Sequence, residues 1–285
     1  MENIVPGTPS TLPSPPFVTL EGIPNFRDLG GWPIAGRATR CVRRNRIFRC
    51  GEPTKATAAD IAKVKSLGVS CVFDLRSNPE IERRLGSDKA GAGGQGAADW
   101  PGVERRFVPI FPDQSYDPVS LAASHKDYMS EDARGMVRAY KAILEHGAGA
   151  CKSVIERILD EPDGAVMVHC TAGKDRTGVL CALLLSLCGV EDAVVAEEYC
   201  LTGLGLAPWM HLIVRAIMES VGSAEDAARR MAEAREESML GFLEMLRSEY
   251  GGAEGYLGHV CGISGERLKR LKNILVIDEG PVCGV

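Results

Sequence analysis

Apolar and polar positions alternate along this chain with two periods, and the period changes repeatedly. Short apolar stretches at 17–20 and 47–48 predict strands. Residues 57–67 carry apolar side chains at helical spacing behind Thr57, which is able to cap them. Residues 69–75 read as a buried strand ending near Asp74, 87–98 as a Gly-rich surface loop, and 103–111 as an alternating strand. Two helices are predicted at 130–146 and 149–159, followed by an apolar strand at 165–168 and an apolar helix at 179–188. Further helices are expected at 191–202 and 209–221, then a long charged amphipathic segment at 224–250 and a closing helix at 264–275. Strands alternating with helices predict an α/β fold, a central sheet with helices on both faces, followed by a helical C-terminal region.

Composition narrows this picture. The 285 residues are long enough for a sizeable core, and the charged and apolar fractions are those of a soluble globular chain. Residues 17–278 read as a single domain, 1–16 (rich in Pro, Ser and Thr) as a disordered leader rather than a signal peptide, and 279–285 as a tail. A net charge of -5 argues against nonspecific nucleic-acid binding, so attraction of an anionic substrate has to be local. No apolar run reaches the roughly 18 residues of a membrane span. The ten cysteines are scattered, which suggests free thiols in a reducing, cytoplasmic setting.

One segment carries chemistry: His169-Cys170-Thr171-Ala172-Gly173-Lys174-Asp175-Arg176-Thr177-Gly178, between a predicted strand and a predicted helix. A thiol is a poor nucleophile until ionised, and cations or a helix N-terminus favour the thiolate. This loop supplies both. Backbone N–H groups from Thr171 onward can curl around one anion, and Gly173 permits a tight turn and close approach. Arg176 offers a planar fork matching two phosphate oxygens, Lys174 adds a second cation, and Thr177 can place a hydroxyl near the thiolate. The implied reaction is attack of Cys170 on phosphorus, giving a phosphocysteine that water hydrolyses. The anion site is then Thr171, Ala172, Gly173, Lys174, Arg176 and Thr177, and no metal or cofactor is implied.

The segment resembles the signature of the cysteine-dependent protein tyrosine phosphatases. Its Gly-Lys-Asp-Arg-Thr-Gly ending is similar to the branch typified by the mycobacterial secreted tyrosine and lipid phosphatase B, with fungal relatives. Asn25-Phe26-Arg27-Asp28-Leu29-Gly30-Gly31, Ile47-Phe48-Arg49-Cys50-Gly51-Glu52 and Asp74-Leu75-Arg76-Ser77 with Glu80 resemble further motifs of that branch. So do Glu198-Tyr199-Cys200-Leu201-Thr202, Tyr250-Gly251-Gly252 and Tyr256-Leu257, with Cys50 standing where Ser is usual and Glu198 where Asp is usual. The resemblance implies a tyrosine-phosphatase-like fold and hydrolysis of a phosphorylated protein, with phosphoinositides or inositol pyrophosphates as alternative substrates. A catalytically silent phosphate-binding module is the alternative of another class. Transient contact with a membrane surface is compatible with a lipid substrate.

Three aspartates compete to protonate the leaving oxygen. Asp175 lies in the loop, and the resemblance favours it. Asp113, in Phe111-Pro112-Asp113, resembles the mobile acid loop of tyrosine phosphatases, and Asp74 ends a strand near the loop but has Arg27 or Arg76 as possible partners. His169 either lowers the proton affinity of the thiol and orients the loop or is a buried, hydrogen-bonded strand end, and the resemblance implies both together, in a supporting role. Lys174 either meets a second phosphate or pairs with a carboxylate. Residues 209–213 fit a helical lid or, more commonly, core packing. Two spellings are rejected: Gly91-Ala92-Gly93-Gly94-Gln95-Gly96 has no preceding strand, and Gly173-Lys174 lacks the first glycine of a nucleotide P-loop. The absence of a Cys-x-x-Cys pair argues against a zinc site.

Overall fold

In the computed structural model, which describes residues 12–85, 100–116 and 125–280, the most apolar predicted strands become the centre of a five-stranded sheet. β1 (Arg27–Asp28), β4 (Ile47–Cys50), β7 (Ala165–His169), β5 (Val69–Asp74) and β6 (Glu104–Phe107) lie in the order β1-β4-β7-β5-β6. β4, β7, β5 and β6 run parallel, and β1 is antiparallel. β7 is buried along its whole length, as a central parallel strand covered on both faces must be. One face packs Phe73, Val166 and Val168 against helices, and the other packs Phe48, Val72 and Met167 against Val64 and Trp100.

Register positions the site. Cys50 and Asp74 are both in register with His169, so the segments leaving β4, β5 and β7 emerge together at one edge. Ligands of open parallel sheets bind outside such carboxyl ends.

The helices are α1 (Ala58–Ser66), α2 (Asn78–Leu85), α3 (Ala133–Asp160), α4 (Asp175–Cys188), α5 (Asp192–Leu206), α6 (Met210–Val221), α7 (Glu225–Ala232), α8 (Glu236–Tyr250) and α9 (Gly265–Leu275). α1 follows its expected capping, with Thr57 and Asp60 forming a reciprocal box. Ser264 caps α9 with its side chain alone, accepting from the Arg267 N–H.

Several elements depart from expectation. The two helices expected at 130–146 and 149–159 are one, α3. Its buried stripe continues through Gly147, where Ile110 packs so closely that a Cβ would lie 3.2 Å from Ile110 Cδ1. The amphipathic segment at 224–250 splits into α7 and α8, because the chain turns extended at Glu233 and Arg235 donates to the Ser130 and Glu131 carbonyls. The strand expected at 17–20 is a single bridge between Phe17 and Arg27. The strand at 103–111 pairs only over Glu104–Phe107.

A second sheet, β2 (Pro33–Ile34), β3 (Arg37–Val42) and β8 (Val276–Ile277), was not foreseen. Of the expected leader, 1–11 lie outside the described residues. The end of that segment is held, since the Pro16 carbonyl accepts from the Asp28 N–H at 3.0 Å. The loop at 87–98 and its rejected glycine spelling also lie outside the described residues.

The uncharged run between Glu198 and Arg215 stays short of membrane-span length, as the sequence reading had it. With its charged residues included, helix Asp192–Val221, spanning α5 and α6, is long and apolar enough by composition. Its buried Glu198, Tyr199 and Thr202 nevertheless make bonds inside the protein, described below. Val214 in α6 packs on Ala228 and Ala232 of α7 as a small separate cluster, and Leu212 stays exposed.

Candidate active site

β7 ends at His169 and α4 begins at Asp175, so the chain must turn back between them. Most carbonyls along that turn are claimed from outside the loop, and that of Cys170 accepts from His169 Nδ1. The Leu75 N–H donates to the His169 carbonyl at 2.9 Å, and the Glu52 N–H donates to Thr171 at 3.0 Å. Asn25 Nδ2 donates to Ala172 at 3.3 Å and to Gly173 at 3.2 Å. Arg49 Nη2 donates to Gly173 at 2.7 Å and to Lys174 at 3.4 Å. With the carbonyls directed into the protein, the N–H groups of the turn are left to the concave side, at the open N-terminus of α4. Lys174, the N-cap of α4, makes no side-chain cap that would fill this site.

Gly173 adopts φ +66°, and a Cβ there would run into the Cys50 carbonyl. Gly173→Ala is therefore expected to lower the melting temperature and cut kcat/KM on an aryl phosphate by roughly 10²-fold or more, through displacement of the loop. Steady-state kinetics beside a thermal melt check this.

Arg27, Arg49 and Glu198 stand behind the turn, at most 2% exposed. Glu198 joins Arg27 Nε at 2.7 Å and Arg49 Nη1 at 2.6 Å. Arg27 also donates to the Glu198 carbonyl, to Thr202 Oγ1 and to Asn25 Oδ1. Burial, with Arg49 nearby, lowers the Arg27 guanidinium to about 10, and Glu198 opposes that. Burial alone would raise the Glu198 carboxyl; the facing arginines hold it below its ordinary value instead. The motif segments around Asn25, Arg49 and Glu198 thus serve one task, holding the loop carbonyls. A legible signal was Arg49 between apolar neighbours in a strand, because a charge there has to be paired.

The sequence-derived residues fall as follows. Cys170 is 3% exposed at the base of the turn. Arg176 Nη1 and Nη2 each meet Glu80 at 2.6 Å, and Glu80 also accepts from Thr171 Oγ1 and from Ser77. Glu80 was seen only as part of a motif; here it holds the guanidinium fork. Thr177 is fully buried and its hydroxyl has no hydrogen-bond partner among the described residues, so its proton is available within the loop. Lys174 is buried and paired. Its Nζ meets Asp175 Oδ1 and the Glu233 carbonyl, each at 3.0 Å, the carboxylate-pairing alternative.

Asp175 is partly exposed at the first turn of α4 and accepts from Tyr140 Oη at 2.9 Å. Asp74 is fully buried between Arg76 and Arg105, with 2.8 and 2.9 Å contacts. Burial would raise its carboxyl, but His169, Arg76 and Arg105 hold it far below the ordinary range, so it has no proton to give. Asp113 is exposed and takes the Asn78 N–H and Nδ2 at the start of α2.

His169 is fully buried, and burial lowers it to about 4 even though Asp74 opposes this. It is therefore neutral near pH 7. Its Nδ1 lies 3.1 Å from the Cys170 carbonyl, which can only accept, so the proton sits on Nδ1. Of its two alternatives, His169 orients the loop and supplies no cation.

A buried thiol beneath this turn, an arginine fork held by Glu80 and an aspartate at the same helix start are the residue types that the sequence reading assigned to phosphate chemistry. A family model described as the tyrosine phosphatase family matches residues 18–277, and the chain belongs to that family of phosphoric monoester hydrolases. A tyrosine-protein phosphatase of Nostoc commune is 30% identical over 246 residues, covering 84% of this chain and 76% of that protein. The triple specificity protein phosphatase PtpB of Mycobacterium tuberculosis is 27% identical over 290 residues, 90% of this chain and 98% of its own length. The solved structure of P. aeruginosa TpbA aligns with 70% of this chain and 94% of its own, at 17% identity and a TM-score of 0.30.

Proposed function

We propose that this chain dephosphorylates phosphotyrosyl protein through a phosphocysteine. The Cys170 thiolate attacks phosphorus while Arg176 and the loop N–H groups of Thr171 to Lys174 hold the non-bridging oxygens. Asp175 gives its proton to the departing phenolic oxygen as the P–O bond breaks. Asp175, now a carboxylate, takes a proton from water, which attacks the phosphocysteine. Inorganic phosphate leaves and the Cys170 thiolate returns. The turning of the loop carbonyls into the protein carries this reading, because it leaves the N–H groups to form an anion cradle around the thiol.

Lys174 bears on the substrate class. Its ammonium is committed to Asp175 and the Glu233 carbonyl. That supports a single phosphate on an aryl group over a polyphosphorylated inositol. The names of the two relatives agree with protein substrates.

The test is phosphate release without added metal from a phosphotyrosine peptide, a phosphoserine peptide, phosphoinositides and an inositol pyrophosphate, with Cys170→Ser as control. Release from the phosphotyrosine peptide alone, absent in the control, is expected. Preference for the inositol phosphates would overturn the substrate assignment, and no release at all would return the silent binding module.

Asp175→Asn separates the acid from the rest. The variant is expected to lose roughly 10²-fold or more in kcat/KM on phenyl phosphate, whose leaving group needs a proton. It should change little on an aryl phosphate with a strongly acidic phenol. Equal loss on both esters would remove Asp175 from the acid role.

A further inference from the structure

The reaction as proposed uses Asp175 but not the groups that hold it. Tyr140 reaches it from α3 and Tyr199 stands behind from α5, and both phenols are buried, at 0% and 1% exposure. Tyr140 Oη donates to Asp175 Oδ1 at 2.9 Å, and Tyr140 Oη and Tyr199 Oη are 2.5 Å apart. A phenol has one proton. Since that of Tyr140 goes to Asp175, Tyr199 must be the donor in the second contact. The direction of the chain is therefore Tyr199 to Tyr140 to Asp175.

Lys174 Nζ meets the same Oδ1. Two donors thus converge on one carboxylate oxygen, and a proton on Asp175 belongs on Oδ2. The rings are fixed as well. Tyr140 meets Tyr199 and Phe242 edge-on, with centroids 6.3 and 5.9 Å apart. Gly178 lets the Tyr199 ring approach α4, because a Cβ there would lie 3.1 Å from Tyr199 Cδ2.

We propose that Tyr140 and Tyr199 are positioning residues for proton transfer, a buried two-phenol chain that fixes the Asp175 carboxyl and leaves Oδ2 to carry the proton. This rests on Asp175 being the acid.

The experiment compares wild type, Tyr140→Phe, Tyr199→Phe, Asp175→Asn and the double variant Tyr140→Phe/Asp175→Asn. For each, kcat/KM is measured on phenyl phosphate and on an activated aryl phosphate, with a thermal melt alongside. Tyr140→Phe is expected to lose about tenfold on phenyl phosphate, as for one hydrogen bond to a charged group, and to be nearly unchanged on the activated ester. Tyr199→Phe, which keeps the Tyr140 bond, should move the same way by less. In the Asp175→Asn background the Tyr140 change should have no further effect.

Equal loss on both esters, or loss persisting without Asp175, would make the tyrosines merely structural and overturn the proposal. Selectivity in Asp175→Asn without selectivity in either tyrosine variant would overturn the chain alone. No selectivity in Asp175→Asn would overturn the acid reading and the chain with it. Should Tyr140→Phe fail to fold, Tyr199→Phe decides by the same two esters.

Discussion

Cys170→Ser is expected to abolish turnover, by roughly 10⁴-fold or more, while the affinity for a phosphotyrosine peptide stays within a few fold. A hydroxyl is far less ionised than a thiol near pH 7, so the attacking group is lost. The cradle is not, because it consists of N–H groups and Arg176, set by bonds from Asn25, Arg49 and Glu52 to carbonyls that the substitution leaves alone. Phosphate release by the variant, beside calorimetric binding of the intact phosphopeptide, checks both halves. Substantial turnover would sink the phosphocysteine. Loss of binding together with turnover would mean that Cys170 shapes the cradle and not only the attack.

Glu198→Ala is expected to have the largest effect on stability. Two buried arginines share this one carboxylate. Removing one partner of such a buried network typically costs about 3–5 kcal/mol, roughly a 10 °C fall in melting temperature for a chain of this size. The same change frees Arg49 from its anchor, so activity should fall even below the melting range. Glu198→Gln should be milder, since an amide oxygen still accepts.

The pH dependence has a definite sign. The folded carboxyl of Glu198 is held below its ordinary 4.5, because Arg27 and Arg49 outweigh burial. Its stabilising contribution is therefore complete above about pH 4.5 and is lost as pH falls through the lower folded value. His169 acts in the same direction at higher pH. It is lowered from 6.5 to about 4, so the unfolded chain takes up a proton that the folded one refuses, and stability drops on acidification from about 6.5 to 4. Thermal melts from pH 7 to 4 should show this slope, and its absence in wild type would contradict the buried, neutral His169.

Much of the architecture was legible. The apolar runs at 69–75 and 165–168 became β5 and β7, and α1 and α9 began at their capping residues. The failures share a cause. The break expected around Gly147 and Gly149 is overridden by burial on both sides of it, Ile143 and Leu144 before and Ala150 and Cys151 after. The β2-β3-β8 sheet joins segments from opposite ends of the chain, and β8 is only two residues long, too short to show a period.

The site divides the same way. The thiol, the arginine fork and the glycine hinge lie within a few residues of each other, and their chemistry depends on that local spacing, so the sequence by itself determined the kind of reaction. Tertiary structure decided the rest. It placed Asp74 between arginines and Asp113 at the start of α2, which supports Asp175 as the acid. It paired Lys174 with Asp175 and left His169 uncharged. It also recruited Glu198, 171 residues from Arg27 and 149 from Arg49, and Tyr140, 35 residues before Asp175. The physical reason is that charge state and hydrogen-bond partner are set by burial and by which groups meet across the core, and neither exists until the chain has folded.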